Sequence, residues 1–168
     1  MSPGDALTEL RLRIARIERG GRPAQRLAAV AFGIADIDRR IPGHGLTRGA
    51  LHELAGAGPE VEHGAAAALF AACLLARTKG PVLWVMERPD LFAPALAAVG
   101  LAPDQVVYVE AGKAVLAAME EGLRHPGLAG VVGEFSGRLG LTPSRRLQLA
   151  AEASGAIAFA LRRSTRFD

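Results

Sequence analysis

Four short apolar segments, each separated from the next by a helical pattern, limit the fold of this chain more than any other feature. Uninterrupted apolar runs of this length are typical of strands that are covered on both faces. Strands that alternate with helices form a parallel sheet with helices on both sides. The predicted fold is therefore α/β, a doubly wound, mostly parallel sheet flanked by helices. The four segments are PVLWVME at 81–87, QVVYVE at 105–110, LAGVVGEF at 128–135 and AIAFALRR at 156–163.

The elements between and before these strands complete the prediction. ALHELAG at 50–56 alternates apolar and polar residues and predicts a further strand. Thr142 is the predicted N-cap of the last helix, with Pro143 at its first position. The sequence ends a few residues after its last strand, which is compatible with a further C-terminal segment that is absent here. Without such a segment, that strand is expected at an exposed edge of the sheet. The predicted helices cover residues 64–80, 90–100, 113–125 and 142–154.

An amphipathic helix is predicted before this core, at residues 5–19. Its apolar side chains recur at spacings of three and four, and the GGRP segment at 20–23 ends it. Residues 1–22 are therefore predicted as a helix and linker, and residues 23–168 as one core. Two interpretations stay open, because the apolar stripe can pack on its own sheet or lie in a groove of a binding partner. The stripe consists of Leu7, Leu10, Ile14 and Ile17.

Composition argues against several classes of protein. Half of the 168 residues are apolar, which disfavours disorder, and the length suits one domain with one substantial core. No apolar stretch reaches the roughly 18 residues of a membrane span, and the N-terminus is charged rather than a secretory signal, so a cytoplasmic protein is predicted. The net charge of +3 is small, so an arginine-rich composition typical of a GC-rich genome explains it better than a nucleic-acid partner does. The histidines and the single cysteine show no metal-ligand spacing, so no metal is predicted.

In this order the segments resemble the RecA-like ATPase core, and within it the ImuA family of RecA-related accessory proteins of bacterial inducible mutagenesis. The resemblance covers about residues 30 to 165. It rests on the lead-in GIADIDRRIPGHGLTRGALHELAG, on GPEVEHGAA at the place of the phosphate loop, and on the strand–acid–helix–strand block that begins PVLWVMERPD. The segments LAGVVGEFSG and SGAIAFALRRS occupy the places of the second nucleotide strand and of the strand that ends at a phosphate sensor.

The segment at the place of the phosphate loop lacks the groups that hold ATP. A loop of the form G-x-x-x-x-G-K-[ST] supplies backbone N–H groups, a lysine for the phosphates and a hydroxyl for magnesium. Counted from Gly58, His63 replaces the second glycine, Gly64 the lysine and Ala65 the hydroxyl residue. If Gly64 is taken as the second glycine instead, lysine and hydroxyl are still missing.

Two acidic residues in the same segment also oppose the binding of ATP. Glu60 and Glu62 are expected just before the helix, where they would satisfy the positive end of the helix dipole and repel a triphosphate. The sequence therefore predicts a degenerate phosphate loop, no nucleotide cofactor and no ATPase activity.

The other positions that match the family carry acids and arginines. Glu87 takes the place of the glutamate that activates water, and Glu134 that of the aspartate that holds magnesium, and both are interpreted as vestigial. Arg162 and Arg163 fall near the phosphate-sensor position and are interpreted as solvated side chains at a strand end. A possible patch for DNA or a partner, with a solvated helix face as the alternative, consists of Arg138, Arg145 and Arg146.

The resemblance implies a non-catalytic adaptor in the SOS response, acting in DNA-damage-induced, error-prone translesion synthesis. Its implied partners are an ImuB-type, Y-family polymerase-like protein, an error-prone DNA polymerase and RecA. The connection FSGRLGLT is too short for a RecA-type DNA-binding loop, so direct DNA binding is expected to be weak or absent. Two alternatives stay open, a weak RecA-like ATPase that uses Glu87 and a SulA-like inhibitor of cell division.

Overall fold

The computed structural model describes residue 9, residues 29–56 and residues 60–163, with the backbone alone described at 60–62. The predicted helix at 5–19 lies outside the described residues except for Glu9, and so does Gly58. The predicted division into residues 1–22 and 23–168 therefore stays a prediction. The residues predicted to bind a partner also lie outside the described part, and they are Leu7, Leu10, Ile14 and Ile17.

Five parallel strands form the central sheet. A small antiparallel pair, β1 (Ala29–Val30) and β2 (Leu46–Thr47), precedes it, with the short helix α1 (Ala35–Asp38) between the two. In space the five strands follow the order β3, β7, β6, β4, β5. Along the chain they are β3 (Leu51–Ala55), β4 (Val82–Met86), β5 (Val106–Glu110), β6 (Gly130–Ser136) and β7 (Ile157–Arg163).

Four helices cover the two faces of this sheet. On one face, α2 (Glu60–Leu75) and α3 (Ala93–Ala98) pack on a core that contains Trp84 and Phe159. On the other face, α4 (Val115–Arg124) and α5 (Leu141–Ser154) pack on a second core around Val131 and Ala158. Short 3₁₀ turns at Pro103–Gln105 and Gly112–Ala114 lead into β5 and α4. The predicted α/β, doubly wound, parallel architecture is confirmed.

The last strand does not lie at an edge, and that prediction was wrong. Strand β7 pairs with β3 on one side and with β6 on the other, so β3 and β5 are the edge strands among the described residues. Residues 157–160 of β7 are fully buried, since the strand has neighbours on both sides and helices on both faces. A continuous apolar run suits this central position.

Two helix boundaries also differ from the prediction. Helix α2 begins at Glu60 and not at residue 64, because nothing between Glu60 and Gly64 interrupts a helix and acidic residues stabilise a first turn. The N-cap of α5 is Gly140, without a side-chain hydrogen bond, so Thr142 is the second helical residue and not the cap. Pro143 is accommodated at the third position, since N–H groups in a first turn have no intrahelical acceptor.

Gly133 of β6 allows α4 to lie close to the sheet. A Cβ atom at Gly133 would lie 2.0 Å from the sulfur of the fully buried Met119. We therefore expect Gly133→Ala to lower the free energy of unfolding by about 1–3 kcal/mol, as overpacking of a core does. Urea unfolding measures this cost.

The same substitution in a Met119→Ala background is the control, because the smaller side chain leaves room for the added methyl group. We expect Gly133→Ala to cost much less there. An equal cost in both backgrounds would show that the close contact between Gly133 and Met119 is not the cause.

Candidate functional site

The candidate site lies at the carboxyl edge of the sheet, where ligands bind in open parallel α/β folds. The register places Glu134 of β6 beside Met86 of β4 and Leu161 of β7. Glu87 therefore follows β4 at the same edge where Glu134 and Arg163 lie. The structure thus brings together the two acids that the sequence analysis interprets as vestigial.

Glu134 is a buried acid with partners inside the protein. The residue is 5% exposed, and its Oε1 accepts a hydrogen bond from Trp84 Nε1 at 2.5 Å. Trp84, which is fully buried, lies on the neighbouring strand β4. A buried carboxylate requires such donors because losing water without compensation is costly.

Arg163 supplies the positive charge at this edge. Its Nη1 lies 3.7 Å from Glu134 Oε2, and the same atom forms an ion pair with Asp90. The Arg163 side chain is only 27% exposed. Arg162 also has a partner, since its Nε lies 3.2 Å from Glu53 Oε1. The interpretation as a solvated side chain was wrong for Arg163, because β6 and the segment after β4 place acids beside it. The Arg162 side chain is 37% exposed and pairs with an acid of β3 at the surface.

Glu87 is held by the end of β6. The Ser136 N–H donates a hydrogen bond to Glu87 Oε2 at 2.8 Å, and the Glu87 N–H donates to the Glu134 carbonyl oxygen at 3.0 Å. Hydrogen bonding from the Ser136 side chain and then from its N–H lowers the pKa of Glu87, and the charges of Arg88 and Lys113 act in the same direction. Partial burial opposes them without reversing the shift. Glu87 is therefore an ionised hydrogen-bond acceptor at neutral pH.

The segment predicted as a phosphate loop is helical over most of its described length. The backbone from Glu60 to Ala65 belongs to α2, so Glu60 and Glu62 lie within the helix and not before it. Beyond the first turn of an α-helix, each N–H group is bonded to the carbonyl four residues earlier and does not face a ligand. His63 and Gly64 are half-buried and Ala65 is exposed.

The chain also approaches itself closely at this point. A Cβ atom at Gly56, just after β3, would lie 2.5 Å from the Cβ of His63 in α2. The described residues therefore do not fit a magnesium nucleotide in the RecA manner. No lysine or hydroxyl side chain is present at positions 64 and 65, and Glu134 already binds Trp84 and Arg163.

The three arginines of the predicted patch occupy different surroundings. Arg138 lies in the four-residue connection 137–140 between β6 and α5, while Arg145 and Arg146 lie in α5, and all three are exposed. Arg146 Nη2 lies 2.7 Å from Oε2 of the buried Glu120 in α4. Whether these arginines bind DNA or a partner stays a prediction.

Sequence reasoning missed three residues that shape these sites. Trp84 was assigned only to a strand, and Asp90 to the start of a helix that begins at Ala93 instead. Glu120 was not singled out, although its spacing of four residues from Arg124 on one helix is typical of an ion pair. The contact of Trp84 crosses between strands, and that of Asp90 joins the segment after β4 to β7, so neither carries such a local signal.

The strand order and the carboxyl edge define a RecA-like α/β protein. The crystal structure of SulA from Pseudomonas aeruginosa superposes with a TM-score of 0.56 and 22% identity, over 67% of this chain and 96% of SulA. The crystal structure of the RadB recombinase also gives a TM-score of 0.56, with 16% identity, over 83% of this chain and 71% of RadB. At these identities the two likenesses establish the fold alone.

The sequence itself is that of the ImuA family. The chain is 40% identical over 140 residues to Protein ImuA from two strains of Caulobacter vibrioides, NA1000 / CB15N and ATCC 19089 / CIP 103742 / CB 15. The match covers 80% of this chain, which belongs to the ImuA family over that region, and the predicted resemblance is confirmed. The chain spans 57% of the length of these relatives. Comparison with models of known protein families gives no match.

No helix in the described part of the chain is long and apolar enough to cross a bilayer.

Replacing Glu134 tests the network at the carboxyl edge. Glu134→Gln keeps an acceptor for the Trp84 indole, whereas Glu134→Leu leaves a buried N–H group without it. We expect the leucine variant to be less stable than the glutamine variant by about 1–3 kcal/mol, the cost of an unsatisfied buried donor. Urea unfolding followed by the fluorescence of Trp84, the single tryptophan, measures the difference.

The matched control is Glu110, which is exposed at the end of the edge strand β5. The same two substitutions there should give nearly equal stabilities. If Glu134→Gln and Glu134→Leu also differed little in their free energies of unfolding, the indole hydrogen bond would not stabilise this edge.

The lowered pKa of Glu87 predicts a dependence of stability on pH. A carboxyl group whose pKa is lowered by folding contributes stability that is complete above its ordinary value of 4.5 and is lost as the pH falls through the folded value. Glu87→Gln should therefore flatten the fall in unfolding free energy as the pH is lowered below 4.5. Ser136→Ala should flatten it in part, because the backbone N–H remains. An unchanged slope in Glu87→Gln would contradict the assignment.

Proposed function

We propose that this chain is a non-catalytic RecA-like adaptor in DNA-damage-induced, error-prone translesion synthesis. The observation that carries the proposal is the occupation of the carboxyl edge by the protein's own groups. Glu134, at the place of the magnesium-holding acid, is buried against Trp84 and lies beside Arg163. A RecA-like site that hydrolyses ATP needs that carboxylate for the metal and its water.

The state of Glu87 supports the same proposal. A general base works best when its pKa lies near the working pH, and the pKa of Glu87 is shifted away from neutrality. One of its oxygens is engaged by the Ser136 N–H. Activation of a water molecule by Glu87 is therefore disfavoured, and so is the alternative of a weak ATPase.

The relatives named ImuA support a place in the inducible mutagenesis system. Because the chain spans only part of their length, its partners are proposals. The proposed partners are an ImuB-type, Y-family polymerase-like protein, an error-prone DNA polymerase and RecA. The apolar stripe of the predicted N-terminal helix is proposed as a binding surface, and direct DNA binding is proposed to be weak or absent.

Calorimetric titration with ATP and magnesium tests the non-catalytic part of the proposal. We expect no saturable heat at ATP concentrations up to the millimolar range, and no phosphate release. Glu60→Ala combined with Glu62→Ala should leave this result unchanged, since lysine and hydroxyl are still missing. Magnesium-dependent binding in the micromolar range would contradict the proposal and favour the ATPase.

Co-purification with an ImuB-type protein tests the adaptor part. We expect the full chain to retain this partner and a chain without residues 1–20 to lose most of it. Retention by the shortened chain would place the interface on the core instead. FtsZ serves as the control bait, and retention of FtsZ without the ImuB-type protein would favour the SulA-like alternative.

A further inference from the structure

One face of α2 is apolar and exposed. No charged, hydroxyl or amide side chain occurs from Gly64 to Ala76, and a helix that is apolar on all sides is typically covered on all sides. Three residues at spacings of four and three are nevertheless exposed in the described structure, with Phe70 at 38%. This set, the α2 row, consists of Ala66, Phe70 and Cys73. The sequence of α2 therefore suits a further covering element on this face.

The segment that leads into α1 borders the α2 row. The rings of Phe32 and Phe70 lie 5.9 Å apart, and the guanidinium of Arg77, one turn beyond the row, lies against Gly33. Ile34, the next residue, is 55% exposed. The apolar surface therefore continues from α2 towards this segment.

The chain enters the described core beside α2. Val30 of β1 belongs to the same buried cluster as Ala68 and Ala71 of α2. Ala29 pairs with Thr47 of β2, and residues 48–50 alone separate β2 from β3. The entry point therefore lies towards the amino ends of the strands, where α2 also ends before β4 begins.

The predicted helix at 5–19 is tethered within reach of this face. Residues 20–28 join it to β1 and span at most roughly 30 Å when extended. The 16 residues of α2 extend over about 24 Å. The tether is therefore long enough to bring the predicted helix alongside α2 in either direction.

The apolar stripe defined above matches the α2 row in spacing and length. The stripe extends over about 15 Å from Leu7 to Ile17, and the row extends over about 16 Å from Ala66 when Arg77 is included. Both sets follow spacings of three and four, which allow the side chains of two helices to interdigitate. Glu9, outside the stripe, is helical and exposed. Contact between the two sets would remove apolar surface of both from water.

We propose that helix 5–19 folds back on its own chain and lays its apolar stripe on the α2 row. The tether favours this occupant over a second copy of the chain. A short flexible linker holds the helix at a millimolar effective concentration, whereas a second copy binds only at its concentration in solution. The inference goes beyond the proposed function, because one stripe cannot contact α2 and a partner at once. Docking on α2 keeps the stripe covered until a partner displaces it.

Cys73, the single cysteine of the chain, reports on this contact. A docked helix shields its thiol from the reagent DTNB. Ile14→Lys puts a charge in the middle of the stripe, whereas Leu12→Lys changes the opposite side of the same predicted helix. We expect Ile14→Lys to raise the rate of Cys73 modification at least severalfold and Leu12→Lys to leave it as in the wild type. Equal rates in all three full-length proteins would overturn the proposal.

Disulfide cross-linking tests which chain supplies the helix. Leu10→Cys and Ile14→Cys introduce a thiol at the two central positions of the stripe, and Leu12→Cys is the matched control on the other side. A disulfide to Cys73 requires Cα atoms within about 7 Å of each other. We therefore expect one of the two stripe variants to form an intramolecular disulfide about tenfold faster than the control.

Non-reducing electrophoresis separates this product from a cross-linked dimer. A dimer as the main product would assign the α2 row to a second copy of the chain and would overturn the proposal. Cross-linking of both stripe variants at the rate of the control would also overturn it.

Addition of the ImuB-type protein distinguishes the inference from the proposed function. If this partner takes the stripe, it should raise the rate of Cys73 modification towards that of Ile14→Lys. An unshielded Cys73 in the free chain, together with loss of the partner when residues 1–20 are removed, would overturn the docking and leave the adaptor function in place. A shielded Cys73 in a chain that does not bind the partner would support the docking and contradict the proposed function.

Discussion

The buried carboxylate of Glu134 is the interaction on which the carboxyl edge of this protein depends. An acid that is 5% exposed needs donors within the protein, and neighbouring strands on both sides of β6 supply them. Trp84 comes from β4 and Arg163 from β7, so a single side chain connects three adjacent strands. Asp90 adds a second acid to the same arginine and fixes the segment that follows β4.

Most of the fold could be predicted from the sequence, because the short apolar strands and the helices between them have distinct periodicities. The five strands and four main helices all lie close to their predicted positions. The place of β7 inside the sheet could not be read from the end of the chain, since the order of strands depends on crossovers and not on the sequence of one segment. The beginning of α2 differs from the prediction because a segment with Gly58 and Gly64 suits a loop, whereas residues 60–63 between them also form a helical turn.

The candidate site was predictable in its residues and not in its contacts. Glu87 and Glu134 stand at strand ends in the sequence, and the parallel arrangement alone brings them to one edge. The partners of Arg162 and Arg163 depend on which strands are neighbours, and the acids that face them are Glu53 on one side and Asp90 with Glu134 on the other. Glu120 differs, because its link to Arg124 is local and its link to Arg146 requires two helices to pack together.

The close approach of Gly56 to His63 has a consequence for substitutions in the first turns of α2. A lysine at position 64 or a serine at position 65 would now appear on a formed helix, with its backbone N–H already committed and the chain from β3 close by. A phosphate loop at this place would need several residues of α2 to unwind together, and a substitution at position 64 or 65 alone leaves the helix as it is.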